Sequence, residues 1–256
     1  MPKILEVKNI SKKYQNKTGE TIALQNVNFT INRGEFVSII GPSGCGKSTL
    51  LSVIAGLEEK SSGEIYIENN KVDEMSLEVG YMLQKDCLLE WRTILNNTLF
   101  GLEVEGKKTK ENIGYVEDLL KKYSLYEFKD KYPSELSGGM RQRVALIRTL
   151  ATKPKILLLD EAFSALDYQT RIMVTNDIYS ILRKEKITAL IVTHDISEAI
   201  SMSDRVFVLS KRPGTIKSIH KIDFEIDGRT PLNCRESPKF SQYFNTLWKE
   251  LGVDEK

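Results

Sequence analysis

The stretch Phe36-Val-Ser-Ile-Ile-Gly41-Pro-Ser-Gly-Cys-Gly46-Lys47-Ser48-Thr-Leu-Leu-Ser-Val-Ile-Ala55 decides the fold of this chain. Its first five residues form a nearly continuous apolar run, which suits a strand buried on both faces of a parallel sheet. The next eight, Gly41, Pro42, Ser43, Gly44, Cys45, Gly46, Lys47 and Ser48, fit the pattern G-x-x-x-x-G-K-[ST]. Thr49 to Ala55 then reads as a helix. Phosphate binding needs this order. Glycines let the backbone curl so that successive N–H groups point inward, and the helix N-terminus adds its positive end at the same place. Lys47 is expected to neutralise the β- and γ-phosphates, and the Ser48 hydroxyl to ligate Mg²⁺. A Gly-rich turn with an incidental lysine is the plainer reading, but the strand and helix fall where the phosphate motif requires them. A nucleoside triphosphate site is expected here.

Lys155-Ile-Leu-Leu-Leu-Asp160-Glu161 is a second buried strand, ending in two acids. Such a strand delivers carboxylates to the C-terminal edge of a parallel sheet, where ligands of open α/β sheets bind. Asp160 is the expected Mg²⁺ holder and Glu161 the expected general base for an attacking water. An acidic strand end without function is the plainer alternative. Ile187–Val192 has the same apolar character, whereas Ile4–Val7, Ile22–Ile31 and Glu64–Glu68 alternate at period two, as half-buried antiparallel strands do. More than a hundred residues separate the first two buried strands, so a subdomain is inserted between them. Val116, Leu119, Leu120 and Tyr123 recur at helical spacing there, and a helix from about Met140 to Ala151 stops before Pro154. Phe240, Phe244, Leu247, Trp248 and Leu251 predict a last helix.

Composition narrows the classes. The chain has 256 residues, 41% apolar and 28% charged, so disordered and fibrous classes are excluded. Lys and Arg outnumber Asp and Glu by 37 − 35 = 2, which gives no electrostatic case for nucleic acid or an anionic membrane as main partner. The longest apolar runs are far short of the ~18 residues of a membrane span. The first residues lack the apolar core of a signal peptide, and three scattered cysteines make neither a disulfide framework nor a zinc site. A soluble, intracellular, reduced protein is expected.

Leu136-Ser137-Gly138-Gly139-Met140-Arg141-Gln142-Arg143 opens a helix with free N–H groups and a hydroxyl, a second anion site or an ordinary helix cap. At this point the sequence resembles the nucleotide-binding subunits of ABC transporters over nearly its whole length. Residues 136–143 are similar to the family's signature motif, with Met140 where many members have Gln. Gln84 resembles the Q-loop glutamine, Ser164-Ala-Leu-Asp167 the D-loop and His194 the switch histidine. Tyr14 stands where the family places an aromatic under adenine.

The resemblance implies an α/β fold: a P-loop NTPase core, RecA-like with an antiparallel β subdomain, and an inserted helical subdomain. Its expected bounds are 1–84 and 154–220 for the core, 85–153 for the helical insertion and 221–256 for a C-terminal tail. It implies an ATPase using ATP and Mg²⁺, with Glu161, His194 and Gln84 catalytic and Ser48, Gln84 and Asp160 around the metal. ATP is implied to lie on Tyr14 and 41–49 of one copy and on Ser137, Gly138, Gly139, Met140 and Gln142 of a second, in a head-to-tail homodimer with Asp167 at the seam.

With no membrane span, transport requires separate permease subunits, and Leu88, Leu89 and Trp91 are the expected permease contact, unless they simply fill the core. The segments 84–92, Lys211–Ile216 and Pro231 to Trp248 look like the nitrate, sulfonate and taurine importer ATPases. That likeness implies a solute-binding protein in the complete system, no nucleic acid, and a place in the cytoplasm, peripheral on the inner face of the membrane. A soluble ABC-type ATPase acting on nucleic acid or ribosomes is the alternative, although the long coiled-coil insertion or second cassette of such members is missing from the sequence.

Overall fold

The computed structural model describes residues 2–16 and 19–252. The elements run β1 (Lys3–Asn16), β2 (Gly19–Asn32), β3 (Phe36–Ile40), α1 (Lys47–Ile54), β4 (Ser62–Ile67), β5 (Asn70–Lys71), β6 (Val79–Met82), α2 (Ile94–Thr98), α3 (Phe100–Val104), α4 (Lys110–Lys122) and α5 (Gly138–Leu150). They continue with β7 (Ile156–Asp160), α6 (Tyr168–Lys184), β8 (Thr188–Val192), α7 (Ile196–Met202), β9 (Arg205–Leu209), β10 (Ile216–Lys221), α8 (Pro231–Glu236) and α9 (Pro238–Glu250).

Two sheets carry the strands. One is antiparallel, in the order β2-β1-β4-β5; the other has the order β10-β9-β3-β8-β7-β6 and is parallel except for its β10 edge. The continuous apolar runs are explained by burial on both faces. In β7, Ile156 and Leu158 pack towards the antiparallel sheet and α1, while Leu157 and Leu159 pack towards the helices between β6 and β7. In β8, Leu190 and Val192 take the first side and Ala189 and Ile191 the second. A third apolar layer joins α7, α8 and α9 to Ile40, Val206 and Val208 of the other sheet edge. β10, by contrast, is an edge strand whose residues alternate between half-buried and exposed.

The strands read as Ile4–Val7 and Ile22–Ile31 are longer than their alternation suggests. β1 and β2 pair along fourteen residues each, with register shifts near Asn9, whose φ is +50°. Those shifts break the period-two pattern while the ladder continues through them.

The parallel order gathers the loops. β3, β8, β7 and β6 are consecutive neighbours, so the loops at their C-terminal ends lie side by side along one edge. Those loops carry residues 41–48, His194, Asp160 with Glu161, and Gln84.

Candidate functional site

The glycines of the first loop have separate jobs. Gly44 and Gly46 have φ of +71° and +109°, a region in which other residues are strained. Gly46 is the N-cap of α1, and no side chain caps the helix. Its first-turn N–H groups are therefore left for an anion. Lys47 is buried and its ammonium donates to the carbonyls of Gly41 and Pro42 at 2.9 and 3.1 Å. A cavity of about 570 Å³ opens over the loop, lined by Ser43, Gly44, Gly46, Lys47, Ser48, Thr49, Glu161, His194 and Arg212.

Beside it, Ser48 Oγ donates to Asp160 Oδ1 at 3.0 Å and the Tyr81 hydroxyl donates to Asp160 Oδ2 at 3.1 Å. Burial pushes the Asp160 carboxyl above its usual range, and the two hydroxyl donors pull the other way. Burial also pushes the Tyr81 phenol up to about 12, so it stays a donor at neutral pH. Ser48 Oγ and the Asp160 carboxylate form a hard-oxygen pair of the kind Mg²⁺ takes, alongside water and phosphate oxygens. Among the described residues no cluster of three or more His, Cys, Asp and Glu could hold a metal by itself.

Glu161 follows at a left-handed φ of +46°, held by its N–H on the Val192 carbonyl at 2.9 Å. Such a conformation costs a non-glycine residue of order 1 kcal/mol and is a feature of functional turns. His194 Nδ1 lies 3.2 Å from Glu161 Oε2, and the imidazole is 58% exposed. Gln84 Nε2 reaches the same oxygen at a long 3.5 Å and is better placed on Ser164 Oγ at 3.2 Å. Arg171 links the neighbouring loops: it donates to the Ser164 and Leu166 carbonyls at 3.2 and 2.8 Å and lies 3.7 Å from Asp195.

The other expected residues are placed elsewhere. Tyr14 does not line the cavity; its hydroxyl bonds to Glu58 and to Thr49 Oγ1, and Lys12 stands 4.8 Å over its ring. Ser137 caps its own helix by accepting from Met140 N, and Gly138 and Gly139 pack near Leu166 and Thr170. None of Ser137 to Met140 lines the cavity of its own chain. Asp167 is exposed and caps α6 by accepting from Thr170 N at 3.1 Å.

Two expectations need correction. Gln142 is 3% exposed, turned inward on α5, so it is not available to a second copy's nucleotide. Leu88 is 7% exposed and belongs to the apolar core under the helices, so it is no surface contact.

The run 87–91 divides because Asn97, fully buried, bonds the Leu89 backbone on both its N–H and its carbonyl. Leu89 is left half-buried, while Trp91 is 76% exposed beside a cavity of about 310 Å³ with Arg92, Thr93, Asn96, Glu103 and Tyr132.

Three further residues near these sites, Tyr81, Arg212 and Asp86, carry no role from the sequence motifs. Tyr81 carries no expectation from the sequence, and Arg212 and Asp86 enter there only within the segments 211–216 and 84–92 that look like the importer ATPases. Asp86 pairs with Arg141 of α5 at 2.8 and 3.1 Å. Burial pushes the Asp86 carboxyl up, but Arg141 and the Leu88 N–H outweigh it and hold it below the usual range. The pair ties the segment after Gln84 to the helix that Ser137 caps.

The profile of the family described as ABC transporter matches residues 24–164. An uncharacterized ABC transporter ATP-binding protein of Bacillus subtilis strain 168 is 45% identical over 98% of this chain and 97% of its own. A nitrate import ATP-binding protein of Synechocystis sp. strain PCC 6803 is 40% identical over 95% and 93%. Among solved structures, a dimeric ATP-binding cassette in a post-hydrolysis state with ADP and phosphate is similar, with a TM-score of 0.73 and 33% identity over 86% of this chain and 99% of that one.

Four residues beyond His194, Glu198 of α7 is buried, and burial pushes its carboxyl up to about 7 from 4.5, with Asp195 adding to the rise. The Thr193 side chain and the charges of Arg171 and Arg235 oppose it. The folded protein therefore keeps a proton that the unfolded chain releases, and stability falls as pH rises from about 4.5 to about 7. Glu198→Gln is expected to raise the unfolding free energy at pH 8 by about 1–3 kcal/mol. The gain should shrink as the pH is lowered towards 4.5. Denaturant titrations at several pH values check this, and a pH-independent difference would contradict it.

Proposed function

Since the chain belongs to the ABC transporter family and is an ATP-binding, ATP-hydrolysing subunit of it, we propose that it powers an importer of small anions as one half of a head-to-tail homodimer. The observation that carries this reading is the separation of two glycine-rich helix N-termini, that of α1 uncapped and that of α5 capped by Ser137 on Met140 N. The loop 41–48 and Glu161 share one cavity, while Ser137, Gly138 and Gly139 lie outside it on the same chain. A second copy is the natural source of the missing half.

Each residue then has a role. The loop amides, Lys47 and the N-terminus of α1 hold the phosphates, and Thr49 lies under their inner end. Tyr14 offers a ring to the adenine on the face away from Lys12. Ser48 and Asp160 would hold Mg²⁺, with Gln84 beside them, and Tyr81 keeps the Asp160 carboxylate oriented. When bound, the metal neutralises charge developing on the phosphate oxygens. Glu161 takes the proton of the attacking water, and His194, bonded to the same carboxylate, holds it towards the γ-phosphate. Ser137 and the Gly138 and Gly139 amides of the second copy engage that phosphate from the other side, with Asp167 of each copy at the seam. Loss of the phosphate removes the anion that joins the copies, and the dimer reopens.

The permease is proposed to seat at Trp91, whose exposure beside the Arg92–Glu103 pair leaves an aromatic surface on the helical insertion (85–153). Asp86–Arg141 then joins that surface to the Ser137 helix, the route by which a permease would sense nucleotide. Among the described residues no helix is long and apolar enough to cross a membrane, which fits a subunit held peripherally on the cytoplasmic face by its permease. Anion cargo is favoured by the nitrate-import relative, and a solute-binding protein completes such a system.

Two outcomes test this reading. Glu161→Gln is expected to lower ATP turnover by at least about a hundredfold and to accumulate an ATP-bound dimer by light scattering; ordinary turnover would remove Glu161 as the base. Trp91→Ala is expected to keep soluble ATPase within about twofold while reducing the permease recovered with the tagged chain from detergent-solubilised membranes. Equal loss of both would make Trp91 a packing residue.

A further inference from the structure

The turn between β9 and β10 is anchored on three sides. Ser210 Oγ lies 2.9 and 3.0 Å from the carbonyls of Lys211 and Pro213 and accepts from Thr215 N at 3.0 Å. Gly214 N donates to the Ala23 carbonyl at 2.9 Å and the Gly214 carbonyl accepts from Gln25 N at 3.0 Å, which stitches the turn to β2. A Cβ on Gly214 would lie 2.3 Å from the Cys45 carbonyl, so the turn is pressed against the backbone of the phosphate loop itself.

From this fixed base Arg212 donates through Nε and Nη2 to one acceptor, the Gly44 carbonyl, at 3.1 and 2.7 Å. Its guanidinium lines the cavity that Lys47, Ser48 and Thr49 line. Its charge reaches both the Tyr14 phenol and the Cys45 thiol, lowering each against the upward push of burial. The Gly44–Cys45 peptide is planar and trans, so holding its carbonyl fixes the direction of the Cys45 N–H opposite. That N–H has a long bond of 3.3 Å to the Pro42 carbonyl, loose enough to be shared with an incoming acceptor.

We propose that Arg212 is a positioning residue of the nucleotide site: the 210–215 turn is a strap whose guanidinium holds the phosphate loop by its Gly44 carbonyl and adds a second cation beside Lys47 for the phosphates of a nucleoside di- or triphosphate. This rests on the phosphate-site reading proposed above. Holding the loop in shape strengthens ground-state binding and transition-state binding alike, so the loss on mutation falls mainly in KM. Arginine suits the task because its fork puts two donors on one acceptor while the delocalised charge stays with the loop.

The test is calorimetric titration of the full chain with ADP, together with KM for ATP and the thermal midpoint, for Arg212→Ala, Arg212→Lys and Lys47→Ala. Arg212→Ala is expected to weaken ADP binding and raise KM about tenfold with an unchanged thermal midpoint, and Arg212→Lys to recover part of the loss. ADP binding within twofold of the unmutated chain would overturn the proposal. So would an equal loss in both Arg212 variants accompanied by a lowered thermal midpoint, which would make the arginine a folding requirement of the turn. Lys47→Ala separates the two readings: if it too binds ADP normally, the phosphate site itself is misassigned.

Discussion

Parallel pairing of β3 with β8, and of β8 with β7, is the constraint on which the molecule depends. Val192 pairs with Ile39 on one side and with Asp160 on the other, so three strands end at one level. The loop after β3 wraps a helix N-terminus, the loop after β7 starts with Glu161, and the loop after β8 starts with Thr193 and His194. No local preference brings these together. The ladder does, and the double-sided burial of Leu157, Leu158, Leu190 and Ile191 holds it there.

The site built on that edge gathers one ammonium and two carboxylates. Lys47 is buried against carbonyls, Asp160 is buried with hydroxyl donors, and Glu161 sits in a strained turn with a histidine on its carboxylate. Each group is one for which phosphate or metal charge is proposed as the partner. Arg171 connects this edge with the start of α6 and with Asp195, and Arg141 connects the segment after Gln84 with α5. Two arginine links thus join the loops proposed to touch nucleotide to the surfaces proposed to meet a second copy and a permease.

Much of this was readable because it is local. A buried strand, a glycine-rich loop with lysine, and a strand ending in two acids are each continuous in sequence, so each piece is legible by itself even though the ladder alone brings them to one edge. What escaped reading is non-local. Tyr81 stands at an ordinary strand position and meets Asp160 because β6 pairs with β7. Arg212 and Gly44 are far apart in the chain, and the segment Lys211–Ile216 stands out in the sequence only as a family likeness, which carries no contact with the phosphate loop. Leu88 and Trp91 looked like one surface because they share a short apolar run; Cys87 at a φ of +47° and the Asn97 bonds turn the chain so that one goes in and the other out. Gln142 shares a motif with Ser137, yet helical periodicity puts it on the inner side of α5.

One chain is proposed to hold half of an active site. The most direct measurement is the specific ATPase activity of the purified chain as its concentration is varied, at saturating ATP and Mg²⁺. Activity per chain is expected to rise with concentration and then to level off as dimers form. Activity per chain that stays constant down to dilutions at which light scattering finds monomers alone would contradict it.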